Sequence, residues 1–450
     1  MFRRVLIANR GAIARRVVEA CAGLGIETVA VYSDADAGAP HLAEASATWR
    51  LPGERAVDTY LNQAALLTAL EETGADALHP GYGFLAENGA FARAVTARDV
   101  RFIGPDPAWL ETMGDKVAAR ALAAAHGFPV FAGSDRLTDV EAICAAADAI
   151  GYPVMLKPAA GGGGIGMSVV RSAAELRRAV GRSALLAERA FGDGGLFVER
   201  WVEAARHIEF QMLGDGQGGA IHVHERECSV QRRNQKVIEE SPAPGIGRAE
   251  IESMAERARD FVAGIGYDNV GTLETLRAGS GDYGFLEMNT RIQVEHAVTE
   301  MVTGLDLVAA QIRLAAGEPL PAPVGLNGHA VEVRIYAEHP RTLLPSTGRL
   351  AVFEPPRGLH GVRVDTGYRA GQWITPHYDP LLAKVVAHGR TREQAIGRVV
   401  VALKAFAVQG VHTNIALLEA VLGDSDFLSG RLDTGYLTRL LENLPESARV

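Results

Sequence analysis

Cysteine is nearly absent: Cys21, Cys144 and Cys228 are the only three in 450 residues. So few, so far apart, suggest neither a disulfide framework nor a zinc site, and a reducing cytoplasm is the expected setting. Long apolar runs are missing as well. Residues 399–403 form one of the longest, far short of the ~20 that cross a bilayer, so no membrane association is expected. The start, Met1-Phe2-Arg3-Arg4 leading into Val5-Leu6-Ile7-Ala8, is too short in apolar content for a secretory leader. There are no repeats and no low-complexity tracts. Positive charge is in deficit: 45 Lys and Arg against 54 Asp and Glu leave a formal net charge of −9. That argues against nucleic-acid binding, which needs a cationic surface, but leaves room for a local pocket that takes small anions. What is present is an ordinary globular composition, 48% hydrophobic and 22% charged, long enough for two to three domains.

The pattern along the chain predicts α/β and α+β architecture. A strand over 4–8, a helix over 13–24 stopped at Gly25, and a strand over 28–32 make a βαβ unit. Further strands are expected at 75–78, running into His79-Pro80-Gly81-Tyr82-Gly83-Phe84, and at 101–104. The first domain, 1–113, is then a doubly wound, mostly parallel sheet covered on both faces. Its first turn, Asn9-Arg10-Gly11-Ala12, lacks the spaced glycines of a dinucleotide fingerprint. In a second domain, 114–318, strands at 153–157, 167–170 and 196–199 surround one helix at 173–191. This α+β unit, about 130–203, is small enough to be a lid. Alternating segments follow at 207–212 and 220–223. Pro319-Leu320-Pro321-Ala322-Pro323 reads as a linker. Strands near 330–337 and 383–387 and a helix over 392–406 form a C-terminal α+β domain, 328–438.

Chemistry concentrates in four places. Ala159-Ala160-Gly161-Gly162-Gly163-Gly164-Ile165-Gly166 lies between two apolar strands. Consecutive glycines are costly to order, and what they allow is close backbone approach, with N–H groups free to wrap a polyphosphate. Lys157, ending the strand before this loop, is well placed for a phosphate. Second, Glu274 and Glu287 flank the turn Ala278-Gly279-Ser280-Gly281-Asp282. A hairpin centred on Ser280-Gly281 sets the two carboxylates opposite each other, with Asn289 on the same face. Opposed like charges destabilise a sheet; a divalent cation relieves them, and two carboxylates plus an amide oxygen suit Mg²⁺ or Mn²⁺. Third, Arg291, Gln293 and Glu295 alternate with apolar residues beyond the hairpin. An arginine beside a carboxylate can hold an oxyanion while the carboxylate removes a proton. Fourth, Arg232, Arg233 and Lys236, ahead of Glu239-Glu240, form a cationic strip.

Together these segments resemble the biotin carboxylase family, a branch of the ATP-grasp fold. The resemblance is carried by Ile7-Ala8-Asn9-Arg10-Gly11, His79-Pro80-Gly81-Tyr82-Gly83-Phe84-Leu85, Met113-Gly114-Asp115-Lys116, the tetraglycine loop, Gln231-Arg232-Arg233 and Glu287-Met288-Asn289-Thr290-Arg291-Ile292-Gln293-Val294-Glu295-His296, in family order over essentially the whole chain. It implies a pre-ATP-grasp domain, an ATP-grasp domain with a mobile glycine-loop lid, and a C-terminal biotin carboxylase domain. It also implies MgATP (or the Mn²⁺ form) and bicarbonate, with biotin as a carrier-bound substrate. Lys116 and Lys157 correspond to phosphate lysines, with Gly162, Gly163 and Gly164 in the lid loop. Glu199, Val202, His207, Gln231 and Asn234 correspond to nucleotide-binding positions, and Glu274, Glu287 and Asn289 to the metal site. Lys236, Arg291, Gln293 and Val294 match the bicarbonate pocket, and Glu295 the base. Arg334 matches the arginine that stabilises the biotin enolate, and Tyr82 a residue near the biotin ring.

The resemblance further implies a biotin carboxyl carrier protein and a carboxyltransferase as partners. It implies a homodimer too, with the helix around Arg16 and the C-terminal domain at its interface. Up to Val450 there is no Ala-Met-Lys-Met-type attachment site, so biotin is expected on another polypeptide, or elsewhere on a larger enzyme of which this is a part. The expected acceptor is acetyl-CoA or another acyl-CoA. The tetraglycine-Ile-Gly-Met and Arg-Arg-Asn-Gln variants also look like those of urea carboxylases. Ala12, Asn234, Ile165 and Ser168 depart from the family pattern, and Ile165 removes one cation near the phosphates. The rival readings are another ATP-grasp carboxylate-amine ligase and a non-catalytic nucleotide-binding subunit. Arg334 and Tyr82 oppose the first; Glu295, Arg291, Lys236 and the two glutamates oppose the second.

Overall fold

The computed structural model describes residues 1–160, 165–340 and 342–443. β1 (Arg4–Ile7) leads into the helix Gly11–Gly23, and the chain turns at Gly25, φ +71°, into β2 (Glu27–Ser33). β3 (Ala47–Leu51), β4 (Ala77–His79) and β5 (Arg101–Phe102) complete a parallel sheet of order β3-β2-β1-β4-β5. Val5, Leu6 and Ile7 have no exposed surface, as a central strand covered on both faces requires. β3 escaped the sequence reading because it lies at the edge: of its five residues only Leu51 is buried, so no apolar run marks it.

Strand order reverses between β1 and β4, and sheets of this kind leave a crevice outside the strand ends at such a point. Two turns meet there. Asn9 Nδ2 donates to Pro80 O at 2.6 Å and to Tyr82 O at 2.8 Å, fastening the turn after β1 to the turn after β4. Gly81, at φ +63°, admits no side chain: a Cβ would lie 2.8 Å from Asn9 Nδ2.

The lid-sized unit is a three-stranded antiparallel sheet of β6 (Val154–Pro158), β7 (Ser168–Val170) and β8 (Leu196–Arg200), in the order β7-β6-β8. It carries two helices rather than the one expected. Val140–Ile150 joins Ala173–Phe191, and Ile143, Leu176 and Val180 share a core with Val154, Leu156 and Val198. The first helix is alanine-rich, so too few large side chains mark its period.

Next come β9 (Arg206–Asp215), β10 (Ala220–Arg232), β11 (Gln235–Ser241), β12 (Asp268–Arg277), β13 (Tyr283–Asn289) and β14 (His329–Tyr336). The remaining strands are β15 (Gly348–Arg349), β16 (Val352–Glu354), β17 (Val362–Thr366), β18 (Trp373–Ile374), β19 (Leu381–Gly389) and β20 (Ala407–Gln409). β15 pairs with β18, and β16 with β20. The other eight build one antiparallel sheet, β13-β12-β9-β10-β11-β14-β19-β17. Because β11 pairs with β14 (Ile238↔Val333, Glu239↔Glu332), this sheet crosses the proline-rich segment. The C-terminal section therefore shares its sheet with the middle of the chain.

The helix His296–Thr303 lies almost wholly buried, and Ala297, Val298 and Val302 pack with Ala330 and Val386. Its Glu300 receives Arg16 Nη2 at 3.0 Å and Arg363 Nη1 at 2.6 Å, and Arg16 also lies 2.5 Å from Asp306. Arg16, expected at a dimer interface, is thus buried with its charge taken up inside the chain. Among the described residues no helix is long and apolar enough to cross a membrane.

Candidate active site

Across β9, β12 and β13 three carboxylates stand in one row. Glu274 is opposite Glu287 on one side and opposite Glu209 on the other, and Thr272 is opposite Asn289. The hairpin thus has the expected register, with an irregularity between Glu274 and Thr275. Cations relieve the repulsion. Lys116, at the start of the helix Lys116–Ala125, donates to Glu287 Oε2 at 2.5 Å. Lys236 Nζ donates to Glu209 Oε2 at 2.5 Å, Glu274 Oε1 at 2.8 Å and Glu295 Oε1 at 2.6 Å. Arg226, with no exposed surface, grips Glu209 Oε1 at 2.5 Å and also reaches Gln211, Thr272 and Thr299.

These contacts favour the ionised forms. Burial pushes the Glu274 carboxyl up, but Lys236 and His207 outweigh it and hold it well below the usual range. Lys116 outweighs burial at Glu287 and lowers that carboxyl too. Burial also opposes ionisation of Glu295, and Lys236 and Arg334 overcome it. Two ionised carboxylates facing each other across a hairpin are a hard oxygen set that fits Mg²⁺ or Mn²⁺. The Asn289 amide is otherwise engaged: Nδ2 donates to Glu274 at 3.0 Å and Oδ1 accepts from Arg291 at 2.9 Å.

Residues 290–295 do not extend the strand but turn into the helix His296–Thr303. Arg291 and Glu295 nevertheless reach the site. Arg291 donates to Gln293 Oε1 at 3.1 Å and to Glu87 Oε2 at 2.9 Å, and Gln293 donates to Glu274 at 3.0 Å. Glu295, 1% exposed, has both oxygens occupied, Oε1 by Lys236 and Oε2 by Arg334 Nη2 at 3.0 Å. Val294 O accepts from the buried Lys384 at 2.5 Å.

At the other end, Lys157 Nζ donates to Glu199 Oε2 at 2.5 Å between β6 and β8. His207 Nε2 lies 3.0 Å from Glu274 Oε2; burial lowers this imidazole's pKa, but Glu274 outweighs it and raises it. Asn234, φ +63°, sits with Arg233, φ +50°, in the turn between β10 and β11. All described candidates line one cavity of about 960 Å³, from Lys157, Glu199, Val202 and Gln231 through the carboxylate row to Arg334 and Tyr82. The crevice turns Asn9–Ala12 and Tyr82–Phe84 wall the Tyr82 end. Ile165, 47% exposed, stands on the rim where the resemblance had implied a cation. Gly162, Gly163 and Gly164 lie outside the described residues.

Sequence reasoning missed Glu209, Arg226, Lys384 and Glu87. Glu209 had a signal: His207, Glu209 and Gln211 alternate with Ile208, Phe210 and Met212, and all six are buried. A polar face on a strand buried on both sides must be answered by other polar groups. Glu87 had none, lying 204 residues from Arg291.

Comparison with known proteins agrees with this geometry. Residues 1–110 match the Biotin carboxylase, N-terminal domain; 115–323 the Carbamoyl-phosphate synthase L chain, ATP binding domain; and 332–439 the Biotin carboxylase C-terminal domain. The chain is 45% identical to Biotin carboxylase 2 of Bacillus subtilis over 98% of its own length and 100% of that protein. It is 44% identical to the human mitochondrial propionyl-CoA carboxylase alpha chain over 97% of its length and 61% of that longer protein. The biotin carboxylase domain dimer of Hydrogenobacter thermophilus 2-oxoglutarate carboxylase, solved with MgADP, ADP and bicarbonate, superposes with a TM-score of 0.96. It is 43% identical, covering 99% of this chain and 100% of that one. With three matched parts, full-length relatives and every described candidate around one cavity, the chain belongs to the biotin carboxylase family of ATP-grasp ligases.

Proposed function

We propose that this biotin carboxylase performs the first half-reaction of an acyl-CoA carboxylase, taking biotin from a carrier on a separate polypeptide and working as a homodimer. The observation that carries the site reading is Glu295, a buried carboxylate kept ionised by a different cation on each oxygen. The free-standing Bacillus subtilis relative supports the separate carrier, the propionyl-CoA relative supports an acyl-CoA acceptor, and the Hydrogenobacter thermophilus dimer supports the assembly.

Bicarbonate enters beside Lys236, Arg291, Gln293 and Val294, and Glu295 takes its proton. The freed oxygen attacks the γ-phosphorus of ATP, ADP departs and carboxyphosphate remains. Lys116 and Lys157 stabilise the charge gathering on the phosphate oxygens. Glu274 and Glu287, with Asn289 beside them, would hold Mg²⁺ or Mn²⁺, which supplies further neutralisation of the polyphosphate. Glu199, Val202, His207, Gln231 and Asn234 receive the base and ribose. Carboxyphosphate then breaks into CO₂ and phosphate, and the phosphate accepts the N1′ proton of biotin. Arg334 steadies the negative charge on the ureido oxygen, Tyr82 borders the ring, and N1′ bonds to CO₂. Keeping water from carboxyphosphate requires a closed site.

The test is phosphate release from MgATP with and without bicarbonate, and with and without free biotin. Release that needs bicarbonate and rises with biotin supports the half-reaction; bicarbonate-independent release driven by another carboxylate overturns it. Reconstitution with biotinylated carrier and carboxyltransferase then decides the acceptor. Carboxylation of acetyl-CoA or propionyl-CoA supports the reading, and carboxylation of urea instead refutes that part.

A further inference from the structure

Arg334 is a shared group. Its Nη2 lies 3.0 Å from Glu295 Oε2 and 2.5 Å from Glu239 Oε1. Glu239 of β11 stands in register opposite Glu332 of β14, and both have no exposed surface. Apart from the Arg334 ion pair at Glu239 Oε1, Glu239 Oε2 and Glu332 Oε1 have no hydrogen-bond partner. The cations nearby are shared. Arg334 serves Glu295, while Lys384 Nζ, 3.4 Å from Glu332 Oε2, donates to Val294 O and lies 3.5 Å from Asp365. Tyr336 interacts with Arg334 from the same strand and adds no positive charge.

A local irregularity brings Glu239 here. Between β10 and β11 the register steps from Gln231↔Lys236 to Val230↔Ile238, leaving Val237 as an extra residue. Such a bulge re-aims side chains. Lys236 and Glu239, three apart, therefore both face the Glu295–Arg334 pair, where a regular strand would send them to opposite sides. Two buried carboxyls opposite each other work against the sheet, since like charges facing across a strand pair repel. Their presence calls for another reason.

We propose that Glu239 and Glu332 hold one proton between them and act as positioning residues for Arg334, keeping its guanidinium toward Glu295 and the biotin. Like charges opposed on neighbouring strands and out of water resist ionising together. Burial, with the neighbouring carboxylates, pushes Glu239 up to about 8 and Glu332 up to about 7. With one proton on the pair, one negative charge anchors Arg334. Loss of that proton at alkaline pH doubles the charge and draws the guanidinium off Glu295. This rests on the proposed contact of Arg334 with biotin.

The experiment follows biotin-dependent phosphate release by the full chain between about pH 6.5 and 9 in the wild type, Glu239→Gln, Glu332→Gln and the double variant. In the wild type the KM for biotin rises on the alkaline side. Either single amide fixes one negative charge and removes that rise. The double variant has none, and its KM for biotin is raised about tenfold at every pH. A wild type without the alkaline rise, a rise that persists in both single variants, or a double variant with wild-type KM overturns the proposal. Infrared titration of the wild type needs no variant: the C=O stretch of a protonated carboxyl is present near neutrality and lost as pH rises, and its absence near neutrality overturns the shared proton. Arg334→Lys tests the underlying reading separately. A wild-type KM for biotin in that variant refutes the role of Arg334 and leaves the infrared result standing.

Discussion

Lys236 and Arg334 on its two oxygens keep Glu295 ionised between turnovers, so its substitution tests proton transfer rather than resting charge. Glu295→Gln keeps the shape and removes the base. Bicarbonate-dependent phosphate release should fall by about 10²- to 10⁴-fold, with nucleotide binding retained in a fluorescence titration; turnover at the wild-type rate would refute the assignment. Arg226 is a structural counterpart. It has no exposed surface and answers Glu209, Gln211, Thr272 and Thr299 at once. Arg226→Met leaves Glu209 buried with half its support, so denaturant unfolding should show a loss of about 3–5 kcal/mol. Of these two, only Glu295 was legible in the sequence, through a motif. Arg226 sits among histidines, acids and a cysteine, and nothing local says that its partner is 17 residues back across a strand pair.

At the level of elements, what could be read was what short-range rules determine. The β12–β13 hairpin announced its turn with Gly279, Ser280, Gly281 and Asp282, so the Glu274–Glu287 register followed by counting. The bulge at Val237 carries no such mark, because one extra residue in a buried strand leaves the composition unchanged. Contacts between elements escaped for a similar reason. Gly367 packs on the turn after β1, and a Cβ there would lie 2.3 Å from the Gly11 backbone. Gly367→Ala should therefore destabilise by about 1–3 kcal/mol in thermal or denaturant melts, since backbone on both sides leaves no room to relax. Glu240 ties β11 to the C-terminal section, accepting from His329 at 2.7 Å and from Arg392 at 2.6 and 2.9 Å. Burial pushes this carboxyl up, but His329 and Arg392 outweigh it and depress it. A depressed carboxyl contributes stability that is present above the unfolded value of about 4.3 and lost as pH falls through the folded one. The melting temperature should thus fall more steeply on acidification in the wild type than in Glu240→Gln; equal slopes would contradict this.

For the whole molecule, the sheet that runs through the β11–β14 pairing makes the middle and the C-terminal sections one body. A protease cut within residues 319–328 should leave the two pieces eluting together on gel filtration under native conditions. Separate elution would show that the pairing is too weak to join them. The proline-rich segment suggested a boundary, and the pairing that runs across it joins Ile238 and Val333, 95 positions apart in the sequence.

The cavity's lysines have a consequence for how ligands add. Lys116, Lys157 and Lys236 each rest against glutamate, so a bare polyphosphate must first displace carboxylates to reach them. A divalent ion held by Glu274 and Glu287 would draw Glu287 off Lys116 and leave that ammonium to the phosphates, while Lys236 stays with Glu209 and Glu295. Metal and nucleotide would thereby be thermodynamic allies, each raising the affinity for the other by the same factor. Calorimetry of ATP alone, Mn²⁺ alone and the two together measures that factor directly, and the exchange of partners requires it to exceed one.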